Sequence, residues 1–189
     1  MFSTNRAGGF TLIEMMIVVT IIALLSVLGI PSYNEWVQNT KVRNAAESAL
    51  TGLEKAKAEA VKQNLNVEFV LGPPWKIHIP AGSPGYPVAT YPTGFDVETS
   101  TMEGLIDKHG NIVIPATATP ANTHIVTFSS LGGIVANADG SASLQKISFN
   151  STVLTNARTL TVTIGKNGVG SNIRMCDPNL TNKQDPRAC

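Results

Sequence analysis

The chain has 189 residues, with 14 basic and 13 acidic side chains and a formal charge of +1. This length suits one globular domain of ordinary size together with a membrane anchor. The balanced charge gives no indication of an obligate nucleic-acid partner. Sparse aromatic residues, with plentiful Gly and Pro, favour a loop-rich β protein.

An apolar run near the N-terminus predicts a helix long enough to span a bilayer. Residues 15–30 are almost wholly apolar, and with residues 10–13 they reach the ~20 residues that a transmembrane helix needs. An ordinary secretory signal places its small-residue cleavage site after such a run. Here Gly8 and Gly9 precede it, so cleavage at Gly9 would leave the apolar segment on the mature chain.

The motif GFTLIE at residues 9–14, placed directly before that run, resembles the prepilin signal of type IV pilins and type II secretion pseudopilins. The resemblance implies cleavage between Gly9 and Phe10 by a prepilin peptidase, followed by N-methylation of Phe10. It also implies an assembly contact, in which Glu14 pairs with the Phe10 amine of an adjacent subunit. The alternative is a plain membrane anchor with Glu14 near the interface by accident, where an acid is tolerated.

The helix is expected to continue beyond the apolar run. Pro31 removes a backbone hydrogen bond and predicts a kink. After it, small and apolar residues recur at steps of three or four and predict an amphipathic face that packs on a sheet: Val42, Ala46, Ala49, Leu53, Ala56 and Ala60. Gly52 is a weak point in this helix, and Asn64 or Asn66 is expected to end it.

The remainder predicts short strands in antiparallel sheets. The candidates are residues 66–71, 75–79, 110–114, 124–128, 133–136, 143–149, 159–164 and 172–176, whereas the Pro- and Gly-rich residues 80–94 predict a loop. The expected fold is α+β, with a long N-terminal helix packed against the sheets of a C-terminal head. Four segments follow: a leader (1–9), a transmembrane and assembly helix (10–31), its amphipathic continuation (32–64) and the head (65–189).

Cys176 and Cys189 are close in sequence and predict a disulfide in an exported chain. The alternatives are free thiols or half a metal site. No His or Cys lies nearby at ligand spacing, so a metal is not expected.

A narrower resemblance covers most of the chain outside residues 80–122. Residues 44–70, 126–133 and 160–176 resemble segments of the FimT/FimU minor pilins and the GspH-like, H-type pseudopilins. The resemblance implies a non-enzymatic minor pilin, without cofactors, that helps initiate or cap a type IV pilus. It would reside in the inner membrane with a periplasmic head before entering the fibre. Its expected partners are other minor and major pilins or pseudopilins, the prepilin peptidase, the inner-membrane assembly platform and membrane lipid.

Two alternative functions stay open. One is the H-type pseudopilin of a type II secretion system. The other is DNA capture for uptake, which the FimT resemblance allows, with Lys166 and Arg174 as the contacts. FimT-type DNA binders carry a G-R-x-R element that reads G-S-N-I-R here, so only Arg174 remains and nucleic-acid binding is not favoured. The three isolated histidines indicate neither catalysis nor a metal site.

Overall fold

The computed structural model describes residues 9–72, 74–81, 95–100, 116–154, 157–167, 170–182 and 184–189. Its one helix within these ranges, α1, runs over Leu12–Gln63. The chain divides into two compact units, Met1–Val37 and Gln38–Cys189.

Within the described ranges, no single straight helix meets the length and hydropathy needed to cross a membrane. The two parts of α1, Leu12–Val27 and Ile30–Gln63, meet at a bend of 41° and satisfy that criterion together, by length and composition. Pro31 cannot donate a hydrogen bond to the carbonyl four residues earlier, at Val27. That Pro31 causes the bend stays a prediction.

Nine strands follow the helix in the described residues. They are β1 (Val67–Val70), β2 (Trp75–Ile79), β3 (Phe95–Ser100), β4 (Ala116–Thr119), β5 (Ile125–Phe128), β6 (Ile134–Val135), β7 (Lys146–Phe149), β8 (Leu160–Asn167) and β9 (Gly170–Cys176).

The strands form two antiparallel sheets. The first has the order β3-β2-β1-β5-β6 and the second the order β4-β7-β8-β9. β1 and β2 are a hairpin in which Phe69 lies opposite Ile77. β8 and β9 form the longest pairing, from Thr161 opposite Cys176 to Asn167 opposite Gly170. The predicted α+β fold, with a long helix followed by antiparallel sheets, is confirmed.

The core of the second unit lies between α1 and the sheets. All six residues of the predicted amphipathic face are fully buried, in one cluster with Phe69, Phe128 and Phe149. A Cβ at Gly52 would lie 2.7 Å from Cε2 of Phe69 and 2.9 Å from Cε2 of Trp75. Gly52 therefore lets two large rings lie directly on the helix backbone, which gives a packing reason for a residue that weakens an isolated helix.

The helix ends as the sequence predicts, next to Asn64. Asn64 has a φ of 55°, and the Leu65 N–H donates to the Ala60 carbonyl at 3.2 Å. This is the 6→1 hydrogen bond of a Schellman motif, in which a residue in the left-handed region satisfies the last carbonyls of a helix. Leu65 joins the same core cluster as Ala60, so the chain turns from α1 towards β1 with an apolar contact at the corner.

Two strands differ from the sequence prediction. β3 and β4 were not expected, because Phe95–Ser100 carries two acids and Ala116–Thr119 has only small side chains. Among the described strands both are edge strands with one partner each, so neither needs the apolar pattern of a central strand. The strand predicted at 110–114 and most of the loop predicted at 80–94 lie outside the described residues.

Candidate functional site

The helix begins directly after the predicted cleavage position. Gly9 and Phe10 precede α1, and the Phe10 side chain is 80% exposed. The Thr11 hydroxyl accepts a hydrogen bond from the Glu14 N–H at 3.3 Å. Thr11 is therefore the N-cap, and T-L-I-E has the residue pattern of a capping box. This local role for the motif was visible in the sequence but was not predicted.

The Glu14 carboxylate makes no hydrogen bond or ion pair with any residue that the structure describes. Its backbone N–H is satisfied by Thr11, so the cap uses the main chain of Glu14 and leaves both carboxylate oxygens open. The first turn of a helix also favours a negative charge. An acid in this position can thus accept a donor from outside the chain without disturbing the helix start.

The helix in the first unit has an uncovered apolar surface. Outside residues 28 and 29, the large apolar side chains between Phe10 and Ile30 are at least two-fifths exposed, and Tyr33 and Trp36 are each 63% exposed. A helix that is apolar all round is stable only when lipid or other protein covers it. The two polar hydroxyls within the run are internally satisfied, since Thr20 and Ser26 donate to the carbonyls four residues earlier, both at 2.7 Å.

Cys176 and Cys189 form the predicted disulfide, with their Cα atoms 5.0 Å apart. The loop that it closes is organised by Asp177, which is buried. Its carboxylate accepts hydrogen bonds from Nε of Arg158 at 2.6 Å and from the Asn179 N–H at 2.9 Å. Neither the burial of this acid nor its partner was predicted.

The far end of the loop returns to Asp177, the residue directly after β9. The Asp177 N–H donates to the Arg187 carbonyl at 2.6 Å, and a parallel bridge pairs Asp177 with Ala188. At the start of β9, Nζ of Lys57 donates to the Ser171 carbonyl at 2.8 Å. The chain itself therefore contacts the start of β9 and the residue directly after its end.

The two cations predicted for DNA contact are in different situations. A terminal nitrogen of Arg174 donates to the Ala188 and Cys189 carbonyls, each at 3.3 Å, so this guanidinium holds the C-terminal loop. Lys166 belongs to β8, and its side chain lies outside the described part of the structure. Arg187 forms a two-point ion pair with Asp185 and lowers the pKa of that carboxyl to about 2. Arg174 and Arg187 therefore each have hydrogen-bond partners within the chain.

Acids and histidines elsewhere make ordinary surface pairs. Asp96 contacts His78 at 2.9 Å and Lys76 at 3.3 Å, and its pKa is lowered by the hydrogen bond from His78 and then by Lys76. Glu98 pairs with Lys55 at 2.7 Å. Within the described ranges, no group of three His, Cys, Asp or Glu residues could hold a metal ion.

Residues 4–30 match the family model of the prokaryotic N-terminal methylation motif. Over 59 residues the chain is 39% identical to a fimbrial protein of Pseudomonas aeruginosa, covering 31% of this chain and 38% of that protein. Over 41 residues it is 49% identical to the type IV major fimbrial protein FimA of Dichelobacter nodosus, covering 22% of this chain and 26% of FimA. The chain thus matches less than half the length of these relatives.

A solution structure of E. coli GspH aligns with 76% of this chain and 93% of GspH, at 15% identity and a TM-score of 0.46. The N-terminal segment of the chain thus carries the methylation motif and resembles fimbrial proteins, and it leads into a long helix that is followed by antiparallel sheets.

Proposed function

We propose that the chain is a minor pilin that helps initiate or cap a type IV pilus. In this proposal residues 1–9 are a leader that a prepilin peptidase removes, and Phe10 becomes the methylated N-terminus. Residues 10–31 hold the subunit in the inner membrane, with its head in the periplasm, until an assembly platform transfers it to the fibre. There it contacts other minor and major pilins.

One observation carries the proposal: the methylation motif leads directly into a helix whose apolar side chains are uncovered and whose Glu14 has no partner among the described residues. In lipid the uncovered surface is solvated by acyl chains, and in a fibre it is covered by neighbouring helices. An acid in that environment is costly unless a cation meets it. The amine of a cleaved Phe10 on an adjacent subunit supplies such a cation.

Processing is the direct test. Mass spectrometry of the membrane fraction should find a mature chain that starts at an N-methylated Phe10. The variant Gly9→Val should stay uncut, because a branched side chain obstructs the peptidase at that position, whereas Ser3→Val in the leader should be processed normally. A mature chain starting after residue 26 would contradict the proposal, since the apolar helix would then have been removed.

The H-type pseudopilin of a type II secretion system is the alternative within the same class of protein. Both roles need the same N-terminal signal and the same helix. The neighbouring genes separate them, since minor pilin genes beside this one support the pilus and secretion-channel genes support the pseudopilus. Incorporation of an epitope-tagged chain into sheared pili, with secretion unchanged in a deletion strain, would favour the pilus.

DNA capture is tested on Lys166 and Arg174. Because Arg174 already donates to two carbonyls of the C-terminal loop, we expect binding to duplex DNA no tighter than the ~10⁻⁴–10⁻⁶ M of non-specific contacts at physiological salt. A gel-shift titration at that salt measures this. Clearly tighter binding that is lost in the variant Lys166→Ala/Arg174→Ala would make DNA capture the leading function.

A further inference from the structure

A cavity of about 220 Å³ in the second unit is lined by three arginines. Arg43 reaches it from α1, Arg158 from the segment before β8, and Arg187 from the disulfide loop. Its other walls include the apolar side chains of Leu160 and Met175. Three separate parts of the chain therefore converge on one concave site that combines a cationic rim with apolar walls.

The arginines keep unused hydrogen-bond donors. Arg43 contacts Glu47 through Nε alone, at 2.7 Å, and Arg158 contacts Asp177 through Nε alone, at 2.6 Å. A guanidinium carries five N–H donors, and the terminal nitrogens of these two residues make no hydrogen bond with any described residue. Arg187 uses Nε and one terminal nitrogen on Asp185, which leaves its other terminal nitrogen.

The charge that lines the cavity is positive. Three guanidiniums face one carboxylate, that of Asp177, whereas Glu47 and Asp185 do not line it. Both oxygens of Asp177 already accept hydrogen bonds, one from Arg158 and one from the Asn179 N–H. The remaining cationic donors are thus not matched by an acceptor from the cavity wall.

The site is held in place by contacts that do not involve a ligand. The Arg158 N–H donates to Oδ1 of Asn39 on α1 at 2.8 Å, and the Cys176–Cys189 disulfide fixes the loop that carries Arg187. Asp177 orients Arg158 through its buried carboxylate. Pre-positioned guanidinium groups are the protein groups best suited to carboxylate and phosphate, because their paired N–H donors match two oxygens at once.

We propose that this cavity is a binding site for a small oxyanion, a phosphate or a carboxylate group, held by the free terminal nitrogens of Arg43 and Arg158 with support from Arg187. All of the residues that line the cavity belong to the second unit, and binding there does not depend on the role of the chain in a fibre. The apolar walls favour an oxyanion that is attached to, or flanked by, nonpolar atoms.

The experiment is a titration of the isotope-labelled full chain in micelles of a non-ionic maltoside detergent, which supplies no anion of its own. Inorganic phosphate and acetate are added in separate arms, and chloride at equal ionic strength is the control, because salt screens exposed charges. The arginine Nε–Hε signals and the amides of Asp177, Asn179 and Leu180 report on the cavity. We expect saturable shifts of these signals, at about millimolar affinity, with phosphate or acetate. The anion that binds more tightly shows whether the site prefers a phosphate or a carboxylate group.

Three variants complete the test. Arg43→Gln should weaken binding about tenfold, since it removes charge-assisted hydrogen bonds from an exposed residue without a structural partner beyond Glu47. Lys41→Gln removes the same charge from the same helix, does not line the cavity and should leave binding unchanged. Glu47→Gln should strengthen binding, because it removes the negative charge that is paired with Arg43 and would repel an incoming anion.

Two results would overturn the proposal. One is a shift of the arginine and amide signals that grows with ionic strength in all arms, chloride included, and never saturates. The other is equal weakening by Lys41→Gln and Arg43→Gln, which would assign the effect to net charge rather than to a site. Because Arg43 is exposed on the helix surface, its variant should retain the backbone spectrum of the parent protein, which the same experiment records.

Discussion

The backbone N–H of Glu14 has a partner within the chain, whereas its carboxylate has none among the described residues. Its N–H completes the cap that Thr11 provides, and its carboxylate is open to a donor from another chain. A substitution of the side chain therefore leaves the backbone hydrogen bond of the cap in place. The carboxylate can be tested without removing the helix start.

We predict that Glu14→Ala inserts into the membrane at least as well as the parent protein, because a costly acid is removed. It should nevertheless enter fibres poorly, since the partner of the neighbouring Phe10 amine is lost. Immunoblots of sheared fibres and of membranes measure the two fractions. Glu35→Ala, which removes an exposed acid farther along the same helix, is the matched control. Equal incorporation of both variants would refute an assembly contact at Glu14.

Gly52 has a low helix propensity, but the packing of two aromatic rings against the helix requires a residue without a side chain there. The change Gly52→Ala gains about 1 kcal/mol of helix propensity. It also places a Cβ 2.7 Å from the buried Phe69 ring, and overpacking of this kind costs about 1–3 kcal/mol. We therefore expect a net loss of stability. Near-ultraviolet circular dichroism should record a lower thermal unfolding midpoint. The exposed neighbour Thr51→Ala should be neutral or stabilising, and a stabilised Gly52→Ala variant would contradict the packing seen here.

The disulfide loop is an element that depends on its crosslink. Its two cysteines are 13 positions apart, and its few apolar residues add little to the core. Closing a loop of that size is worth about 3 kcal/mol in the chain-entropy model. The variant Cys176→Ser/Cys189→Ser should lose about that amount of unfolding free energy, measured by urea denaturation. Hydrogen exchange should quicken at the Asp177 and Cys189 amides, while the amides of β1 remain protected.

The second unit should fold without the first. Every member of its hydrophobic core lies at Val42 or beyond, and both sheets belong to it. We expect a fragment of residues 38–189 to be monomeric in water, with a cooperative thermal transition and the dispersed amide spectrum of a folded domain. A fragment that is soluble only in detergent would show that the apolar helix contributes to the stability of the head.

The sequence predicts best those features of the molecule that depend on residues close together in the chain. The buried face of α1, the end of α1 and the first hairpin follow from spacing and turn residues, and the structure has them. The edge strands β3 and β4 could not be found, because pairing with one neighbour lets polar or small residues form a strand.

Tertiary pairs could not be predicted from the sequence, because their two partners are far apart along the chain. Arg174 appeared as a free cation because nothing local shows that it meets the Ala188 carbonyl. Glu68 lies between the apolar residues of β1, where the alternating pattern predicts a solvent-facing side chain. It is nevertheless buried and accepts hydrogen bonds from the Thr127 hydroxyl and the Ala138 N–H. Its partners are 59 and 70 residues away, which no periodicity reveals.

The occupied ends of β9 bear on solubility. A long unpaired strand at the margin of a sheet is a template on which other chains can assemble, and proteins avoid this by covering such strands. Here Lys57 binds the first end of β9, and residues 187–189 pair with Asp177 directly after the other end. Because the disulfide is the crosslink that holds these C-terminal residues at the end of β9, its reduction should expose that end of the strand to self-association. A reducing compartment would then be where this protein is most prone to form aggregates.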